Sequence, residues 1–189
     1  MSKPKSRRKR GNRKGTLTVV AVLAVITLVT VFVAVKSSPQ GGPPDFSMVP
    51  YTGEGQAAKE LTFGELLGNG EPVVLNFWAA LCPPCRQEMP GFQRIHDELG
   101  EEFTLVGVDI GPFIGLGSHA QAREFLAEFE IDYPTYYALS DSPVRDFEVR
   151  GMPTTIFFDR NGTIAGKHTG YLPEDRLRKE IQTLLADGE

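Results

Sequence analysis

Two cysteines separated by two residues carry the clearest chemistry in this sequence. The chain of 189 residues has two cysteines, both in the run Cys82-Pro83-Pro84-Cys85, where an apolar stretch ends and a helical pattern begins. A thiol in the first turn of a helix lies near the positive end of the helix dipole, which favours the thiolate. We therefore predict that Cys82 is an exposed nucleophile and that Cys85 resolves the mixed disulfide formed on Cys82.

A structural disulfide and a metal site are the alternatives for this cysteine pair. A disulfide between such close residues is worth roughly 2 kcal/mol in the chain-entropy model, against about 4.7 kcal/mol for a 100-residue loop. A metal site needs further ligands, and His96, His119 and His168 show no paired ligand spacing near the cysteines. The pattern therefore favours redox chemistry, with the Cys82–Cys85 disulfide as the redox group, no other cofactor, no metal ligand and histidines at the surface.

The elements around the cysteines predict an α/β fold. Strand patterns occur at residues 72–78, 103–109, 135–139, 154–159 and 163–169. Helical patterns occur at residues 84–99, 118–130, 143–148 and 173–186. This order predicts a mixed sheet with helices on both faces, a central strand at residues 72–78 and a final hairpin. We expect the glycine-rich residues 111–117 to form a loop, because they lack the context of a dinucleotide-binding fingerprint.

The charge of the chain changes sharply after its first 36 residues. Residues 1–36 contain nine of the 20 Lys and Arg and none of the 24 Asp and Glu. The remaining residues contain 11 basic and 24 acidic side chains, a formal charge of −13. This acidic bulk argues against nucleic acid as a partner, because binding a duplex requires a basic surface.

The N-terminal region predicts a membrane anchor. Residues 16–35 carry no charge, proline or glycine, and at about 1.5 Å per residue they can span a hydrocarbon core of roughly 30 Å. Eight basic residues within residues 1–15 predict a cytoplasmic tail and a catalytic domain outside the cytoplasm, in a single-pass protein of the cell membrane. Residues 36–45 are expected to be a flexible linker and residues 46–189 the folded domain. A cleaved signal peptide is the alternative.

The motifs around the cysteines resemble those of a known family. The segment VVLNFWAALCPPCRQEMP and the later run Gly151-Met152-Pro153-Thr154-Thr155 resemble the thioredoxin superfamily. More narrowly, they are similar to its membrane-anchored TlpA/ResA branch, and the match extends from about Phe46 to the C terminus. The resemblance implies a thioredoxin-like mixed sheet flanked by helices and a thiol-disulfide oxidoreductase activity.

The resemblance also implies roles for single residues. Glu88 matches the branch's active-site glutamate, one helical turn from Cys85, where a carboxylate can raise thiol pKa values and relay a proton. A solvated surface glutamate is the alternative. Trp78, Met152 and Pro153 are implied to form the substrate-binding part, with a cis peptide bond before Pro153. A trans proline that opens a strand is the alternative.

Four positions near the cysteines also bear on this resemblance. Asn76 stands where thioredoxins proper carry a buried Asp, as in the TlpA/ResA branch, and Pro90 matches a proline that interrupts and kinks the helix. Leu81 replaces the Trp that usually precedes the first cysteine, so recognition of the family's partners is open. Pro84 suits the first helical position, but two prolines remove backbone donors from the Cys82 thiolate.

These features lead to a functional hypothesis and two alternatives. The leading hypothesis is a tethered oxidoreductase that reduces disulfides of exported proteins, with apocytochrome c as a candidate substrate and a CcdA- or DsbD-like membrane thiol donor as its partner. The loss of donors from the Cys82 thiolate predicts a reducing potential. The alternatives are a disulfide-forming oxidase or isomerase, distinguished by potential, and a copper chaperone of the SCO type, which uses C-x-x-x-C.

Overall fold

A mixed β-sheet organises the part of the chain that the computed structural model describes, residues 42–51 and 59–186. The elements of these residues are β1 Ser47–Pro50, β2 Leu61–Thr62, α1 Phe63–Leu67, β3 Val73–Trp78, α2 Pro83–Leu99, β4 Thr104–Asp109, α3 Gly111–Ile114, α4 His119–Glu128, β5 Thr135–Ala138, α5 Ser142–Asp146, β6 Thr154–Phe158, β7 Ile164–Thr169 and α6 Glu174–Ala186. The predicted alternation of strands and helices, closed by a hairpin and a helix, is confirmed.

The sheet has the order β2-β1-β5-β4-β3-β6-β7. Strands β3, β4 and β5 are parallel, whereas β6 runs antiparallel to β3. All six residues of β3 are buried, as expected of an apolar strand with neighbours on both sides. The register pairs Phe77 with Thr154, so Pro153 lies at the end of the sheet where β3 leads into the cysteine run.

Alternate residues of β3 pack on two separate hydrophobic clusters. On the α2 face, which helices α2, α4 and α6 cover, Val74 and Trp78 pack with Phe92 and Leu177. On the α5 face, which helices α1 and α5 cover, the cluster consists largely of aromatic rings, including Phe77. The two-residue period of the strand therefore sends every second side chain toward the disulfide-bearing helix.

Most predicted elements agree with the structure to within one residue at each strand end. The prediction missed β1, β2 and α1, because elements of two to five residues are too short to show a period. The expectation of a loop at residues 111–117 is wrong for Gly111–Ile114, which form α3. Helix α2 also continues past Pro90, so this proline does not end the helix.

The predicted tail and membrane span, residues 1–35, lie outside the described residues, as does most of the predicted linker. Within residues 42–51 and 59–186, no helix has the length and apolar character needed to cross a membrane. Phe46, where the folded domain was expected to begin, is 5% exposed and packs in the α5 face.

Candidate active site

Cys82 and Cys85 form a disulfide at the N terminus of α2. Cys82 is the residue that caps the helix, and its Sγ accepts a hydrogen bond from the Cys85 backbone N–H at 3.3 Å. The Cys82 N–H donates to the Ala79 carbonyl at 3.2 Å, which closes a tight turn between β3 and the helix. The strand-to-helix position predicted for this pair is therefore confirmed.

The two prolines leave one backbone donor for the Cys82 sulfur. Helix α2 begins at Pro83, one residue earlier than predicted, so both prolines occupy its first turn. The first turn of a helix normally offers several unpaired N–H groups. Since neither proline has one, Cys85 supplies the hydrogen bond to the sulfur, and Arg86 N–H is already bonded to the Cys82 carbonyl.

The disulfide is nearly covered in this oxidised state. Cys82 is 2% exposed and Cys85 is fully buried, so the expectation of an exposed Cys82 sulfur is wrong here. The neighbours Leu81 and Pro83 stand out into solvent, and Leu81 is 51% exposed. Of the two cysteines, Cys82 retains the small accessible surface and Cys85 has none.

Glu88 is buried on the α2 face and held by two donors. Its Oε1 accepts from Asn76 Nδ2 at 2.9 Å, and its Oε2 accepts from the Leu172 backbone N–H at 2.8 Å. Asn76 Nδ2 also donates to Thr155 Oγ1 at 3.1 Å. Glu88 is 2% exposed, so the alternative of a solvated surface glutamate is wrong.

Burial changes the acidity of Glu88. Desolvation raises the pKa of this carboxyl from 4.5 to about 7, although the hydrogen bonds from Leu172 and Asn76 lower it. Cys85 and Glu88 are three residues apart on α2 and both are buried, so they share the face of the helix that packs on the sheet. A carboxyl with this pKa can both take and release a proton near neutral pH.

The peptide bond between Met152 and Pro153 is cis, as the resemblance implied. Pro153 is buried and Met152 is half-buried, at the end of the sheet that also bears the disulfide. The Pro153 carbonyl accepts from Gly170 N–H at 2.8 Å, which connects this segment to the loop that bonds Glu88. Thr154 Oγ1 closes the other side by donating to the Gly151 carbonyl at 2.7 Å.

Trp78 does not lie on a surface that a substrate can reach. Its side chain has no exposed area and packs with Phe125 at a ring-centroid distance of 5.5 Å. The implied substrate contact through Trp78 is therefore corrected to a core position. The reason is the register of β3, which turns Trp78 to the same buried face as Asn76.

The three histidines differ in their surroundings. His96 is half-buried, and His168 Nε2 lies 3.1 Å from the Tyr171 carbonyl oxygen. His119 is not a free surface residue, because its Nδ1 lies 2.9 Å from the Tyr51 hydroxyl and its ring packs on Tyr137. Within residues 42–51 and 59–186 there is no group of three or more His, Cys, Asp or Glu side chains suited to a metal ion.

Sequence reasoning missed several contacts of the site. Thr155 and Leu172 reach Asn76 and Glu88 from 79 and 84 residues away along the chain. Asp109, at the end of β4, is 1% exposed and went unnoticed. A usable signal existed for Asp109, because the carboxyl ends of parallel strands meet at one edge of a sheet and β3 ends there with the cysteines.

Comparison with known proteins agrees with this geometry. A family model described as a thioredoxin-like domain matches residues 60–185. The chain is 27% identical over 172 residues to the thiol-disulfide oxidoreductase ResA of Halalkalibacterium halodurans, covering 91% of this chain and 93% of that protein. It is 34% identical over 136 residues to ResA of Oceanobacillus iheyensis, covering 71% of this chain and 66% of that protein.

A solved structure gives the same result. The thiol:disulfide interchange protein DsbE from Chlorobium tepidum matches with a TM-score of 0.63 and 28% identity, over 78% of this chain and 99% of that chain. The family model spans well over half of the present chain, and the relatives' names share one activity. The chain therefore belongs to the thioredoxin-like family and is a thiol-disulfide oxidoreductase, with a cysteine pair as its redox group.

Proposed function

We propose that this enzyme reduces disulfides of exported proteins from the outer side of a membrane, with Cys82 as nucleophile, Cys85 as resolving thiol and Glu88 as proton acceptor. The observation that carries the reducing direction is that, among the described residues, a single backbone N–H donates to the Cys82 sulfur. A thiolate with fewer donors is less stabilised. Because a less stabilised reduced form makes the pair a stronger reductant, the two prolines favour electron flow from the enzyme to its substrate.

Glu88 supports the same direction and supplies the proton transfer. A buried carboxylate one helical turn from Cys85 disfavours a second negative charge on that sulfur. Cys85 must nevertheless lose its proton before it can attack the mixed disulfide. With a pKa of about 7, Glu88 can accept this proton near neutral pH, when part of its population is ionised.

The reaction then proceeds in two exchanges. The Cys82 thiolate attacks one sulfur of the substrate disulfide, which forms a Cys82–substrate disulfide and releases the first substrate thiolate. Cys85 passes its proton to Glu88 and attacks the Cys82 sulfur, which releases the second substrate thiolate and forms the Cys82–Cys85 disulfide. Two electrons pass to the substrate, and its two thiolates take up protons, one of them from Glu88.

The half-exposed Met152 beside cis Pro153 supports a substrate-binding role at the same end of the sheet. An extended substrate segment could bond to the Met152 backbone while its disulfide meets Cys82. Leu81, exposed and adjacent to Cys82, offers an aliphatic rather than an aromatic contact. This role covers Met152 and Pro153 and leaves out the buried Trp78.

Membrane tethering and the outward orientation are supported by residues 1–35 of the sequence, through the uncharged stretch and the basic residues before it. Disulfides persist in compartments outside the cytoplasm, so a reductase there needs electrons from across the membrane. A dithiol membrane transporter of the CcdA or DsbD kind is the proposed donor. Apocytochrome c, whose cysteines must be reduced before haem attachment, is the proposed substrate.

The test is to trap substrates on the full chain in its native membrane. In Cys85→Ser, the mixed disulfide on Cys82 has no resolving thiol and should accumulate as bands that disappear with dithiothreitol. The matched control is Cys82→Ser, which retains only the fully buried Cys85 and should accumulate far fewer adducts. Mass spectrometry of the trapped partners identifies the substrate class and tests the assignment of apocytochrome c.

Three results would contradict parts of the proposal. If Cys82→Ser traps as many partners as Cys85→Ser, Cys82 is not the nucleophile. If the trapped partners are cytoplasmic proteins, the proposed outward orientation is wrong. A redox titration of the parent against glutathione should give a potential near the thioredoxin value of about −270 mV. A potential near about −120 mV, as in DsbA, would instead identify an oxidase.

A further inference from the structure

The segment Ile110–Gly117, which we call the 110–117 turn, packs directly on the residues that precede Cys82. Leu81 N–H donates to the Leu116 carbonyl at 2.9 Å, and Ile110 N–H donates to the Trp78 carbonyl at 3.1 Å. The turn is thus bonded to both ends of the segment that precedes Cys82, at Trp78 and at Leu81.

Two glycines allow this close approach. A Cβ added to Gly111 would lie 3.1 Å from Ala79 Cβ, and one added to Gly117 would lie 3.1 Å from Ala80 Cβ. Gly117 also has a φ of 126°, a conformation that residues with a side chain rarely adopt. The 110–117 turn therefore fits against the backbone of Ala79–Leu81 with almost no free space.

Asp109 anchors the start of this turn. The residue ends β4, is 1% exposed, and its Oδ1 accepts from the Gly111 backbone N–H at 2.8 Å. Its Oδ2 accepts from the Tyr51 hydroxyl at 2.5 Å. The Tyr51 oxygen also lies within hydrogen-bond distance of His119 Nδ1, 2.9 Å away.

The Asp109 side chain is buried among hydrogen-bonding and basic groups. Burial raises the pKa of Asp109 above its ordinary value and outweighs the lowering by the hydrogen bonds from Tyr51 and Gly111 and by the nearby His119. His119 Nδ1 lies 3.6 Å from Asp109 Oδ2, and the Arg123 guanidinium lies 5.6 Å above the Tyr51 ring. Burying a carboxylate costs free energy unless hydrogen bonds satisfy its oxygen atoms. The hydrogen bond from Gly111 N–H connects Asp109 to the 110–117 turn, which is itself bonded to the active-site segment.

We propose that Asp109 is a positioning residue for Cys82: it holds the 110–117 turn, which in turn holds the backbone of Ala79–Leu81. This inference rests on the proposed role of Cys82 as nucleophile. The Cys82 sulfur depends on one N–H donor, and the Cys82 N–H is bonded to Ala79. A shift of Ala79–Leu81 therefore changes the distance between the sulfur and its single donor, and with it the fraction of thiolate.

The test measures the Cys82 thiol in the full chain in detergent. Cys85→Ser leaves Cys82 as the single thiol of the chain, so its rate of alkylation by iodoacetamide against pH reports its pKa. In this background, Asp109→Ala and Gly117→Ala should raise the Cys82 pKa and slow alkylation at pH 7 by roughly tenfold, the equivalent of one hydrogen bond to a charged group. Insulin reduction by the same variants with Cys85 restored should fall in parallel.

Matched variants separate positioning from general stability. Asp109→Asn keeps an oxygen for Gly111 N–H and should restore most of the alkylation rate. Gly70→Ala places a side chain at a φ of 75° in open space, far along the chain from the turn, and should leave the Cys82 pKa unchanged. Tyr51→Phe keeps the ring and removes the bond to Asp109, so it should fold and show a smaller shift in the same direction.

The outcomes are distinguishable. If Asp109→Ala and Gly117→Ala lower Tm but leave the Cys82 pKa equal to that of Gly70→Ala, the positioning role is overturned. Should Asp109→Ala and Gly117→Ala both fail to fold, an unchanged Cys82 pKa in Tyr51→Phe overturns it. If Cys82 in Cys85→Ser is alkylated with the expected pH dependence but the chain with both cysteines does not reduce insulin, the proposed function is contradicted and the positioning measurement remains valid.

Discussion

The two faces of the sheet bury different kinds of residue. On the α5 face, aromatic rings pack at centroid distances of 5.3–6.4 Å: Phe46, Phe63, Phe77, Phe147 and Phe158. On the α2 face, Asn76, Glu88 and Thr155 form a buried polar group beside the disulfide-bearing helix. Asp109 follows the same alternation of β4 and also belongs to the α2 face.

This difference suggests a division of roles, in which the α5 face serves mainly stability and the α2 face carries the groups that can take part in proton transfer. Burying a carboxyl costs free energy unless its bonds are satisfied, and both buried carboxyl groups of the described residues, Glu88 and Asp109, lie on the α2 face. Within residues 42–51 and 59–186, the aromatic α5 face supplies apolar burial and contains no buried Asp or Glu. The buried carboxyl groups therefore lie on the face of the sheet that adjoins Cys82 and Cys85.

The largest expected effect is the loss of a ring from the α5 face. Phe158 is fully buried and lies at the end of β6 away from the disulfide. Phe158→Ala should lower the free energy of unfolding by about 3–5 kcal/mol, because it removes buried area and leaves a cavity. Urea unfolding measures this loss, and a redox titration should give the parent's potential.

The control for this variant is Phe129→Ala. Phe129 is half-buried, so its replacement should cost clearly less stability. If Phe158→Ala shifts the redox potential by as much as variants of the α2 face do, the two faces do not have separate roles.

The next effect concerns the charge on Glu88. Its pKa rises from 4.5 to about 7 in the folded protein, so the folded state binds the proton more strongly than the unfolded state. Stability from this group is therefore full below about pH 4.5 and is lost as pH rises to about 7, by about 3 kcal/mol in total. Glu88→Gln cannot ionise, so this pH-dependent loss should be absent from its unfolding curves.

The measurement compares parent and Glu88→Gln, both oxidised, by urea unfolding at pH 4, 5.5, 7 and 8. The exposed Glu101→Gln is the matched control and should follow the parent at every pH. Gln offers one oxygen where Asn76 and Leu172 both donate, so a constant offset at all pH values is also expected. Parallel curves without a pH-dependent gap would show that burial of Glu88 does not change its ionisation.

The smallest expected effect is on the redox potential. Pro84→Ala restores a backbone N–H in the first turn of α2, beside the Cys82 sulfur. One additional hydrogen bond to the thiolate is worth about 1.4 kcal/mol and should make the potential about 30 mV more oxidising. Titration against a glutathione buffer detects this shift. The control Pro143→Ala changes a proline at the start of α5, on the other face, and should leave the potential unchanged.

The core elements of the fold could be predicted because their signals are local. The strand from Val73 to Trp78 is an uninterrupted apolar run, and α6 has its apolar residues on one stripe. Elements β1 and β2 were missed, since their place in the sheet comes from pairing with β5 and with each other. The same dependence on distant partners explains why the 110–117 turn was expected to be a plain loop.

Sequence alone determined that the redox pair lies between a buried strand and a helix and that two prolines separate the cysteines, because these are properties of adjacent residues. Only the tertiary structure decided the state of the side chains around it. Glu88 is a buried, hydrogen-bonded carboxyl rather than a solvated acid because Asn76 and Leu172 meet it across the fold. Trp78 lies in the core and Asp109 is buried and hydrogen-bonded to Tyr51 for the same reason: burial and hydrogen bonding depend on residues far apart in the chain.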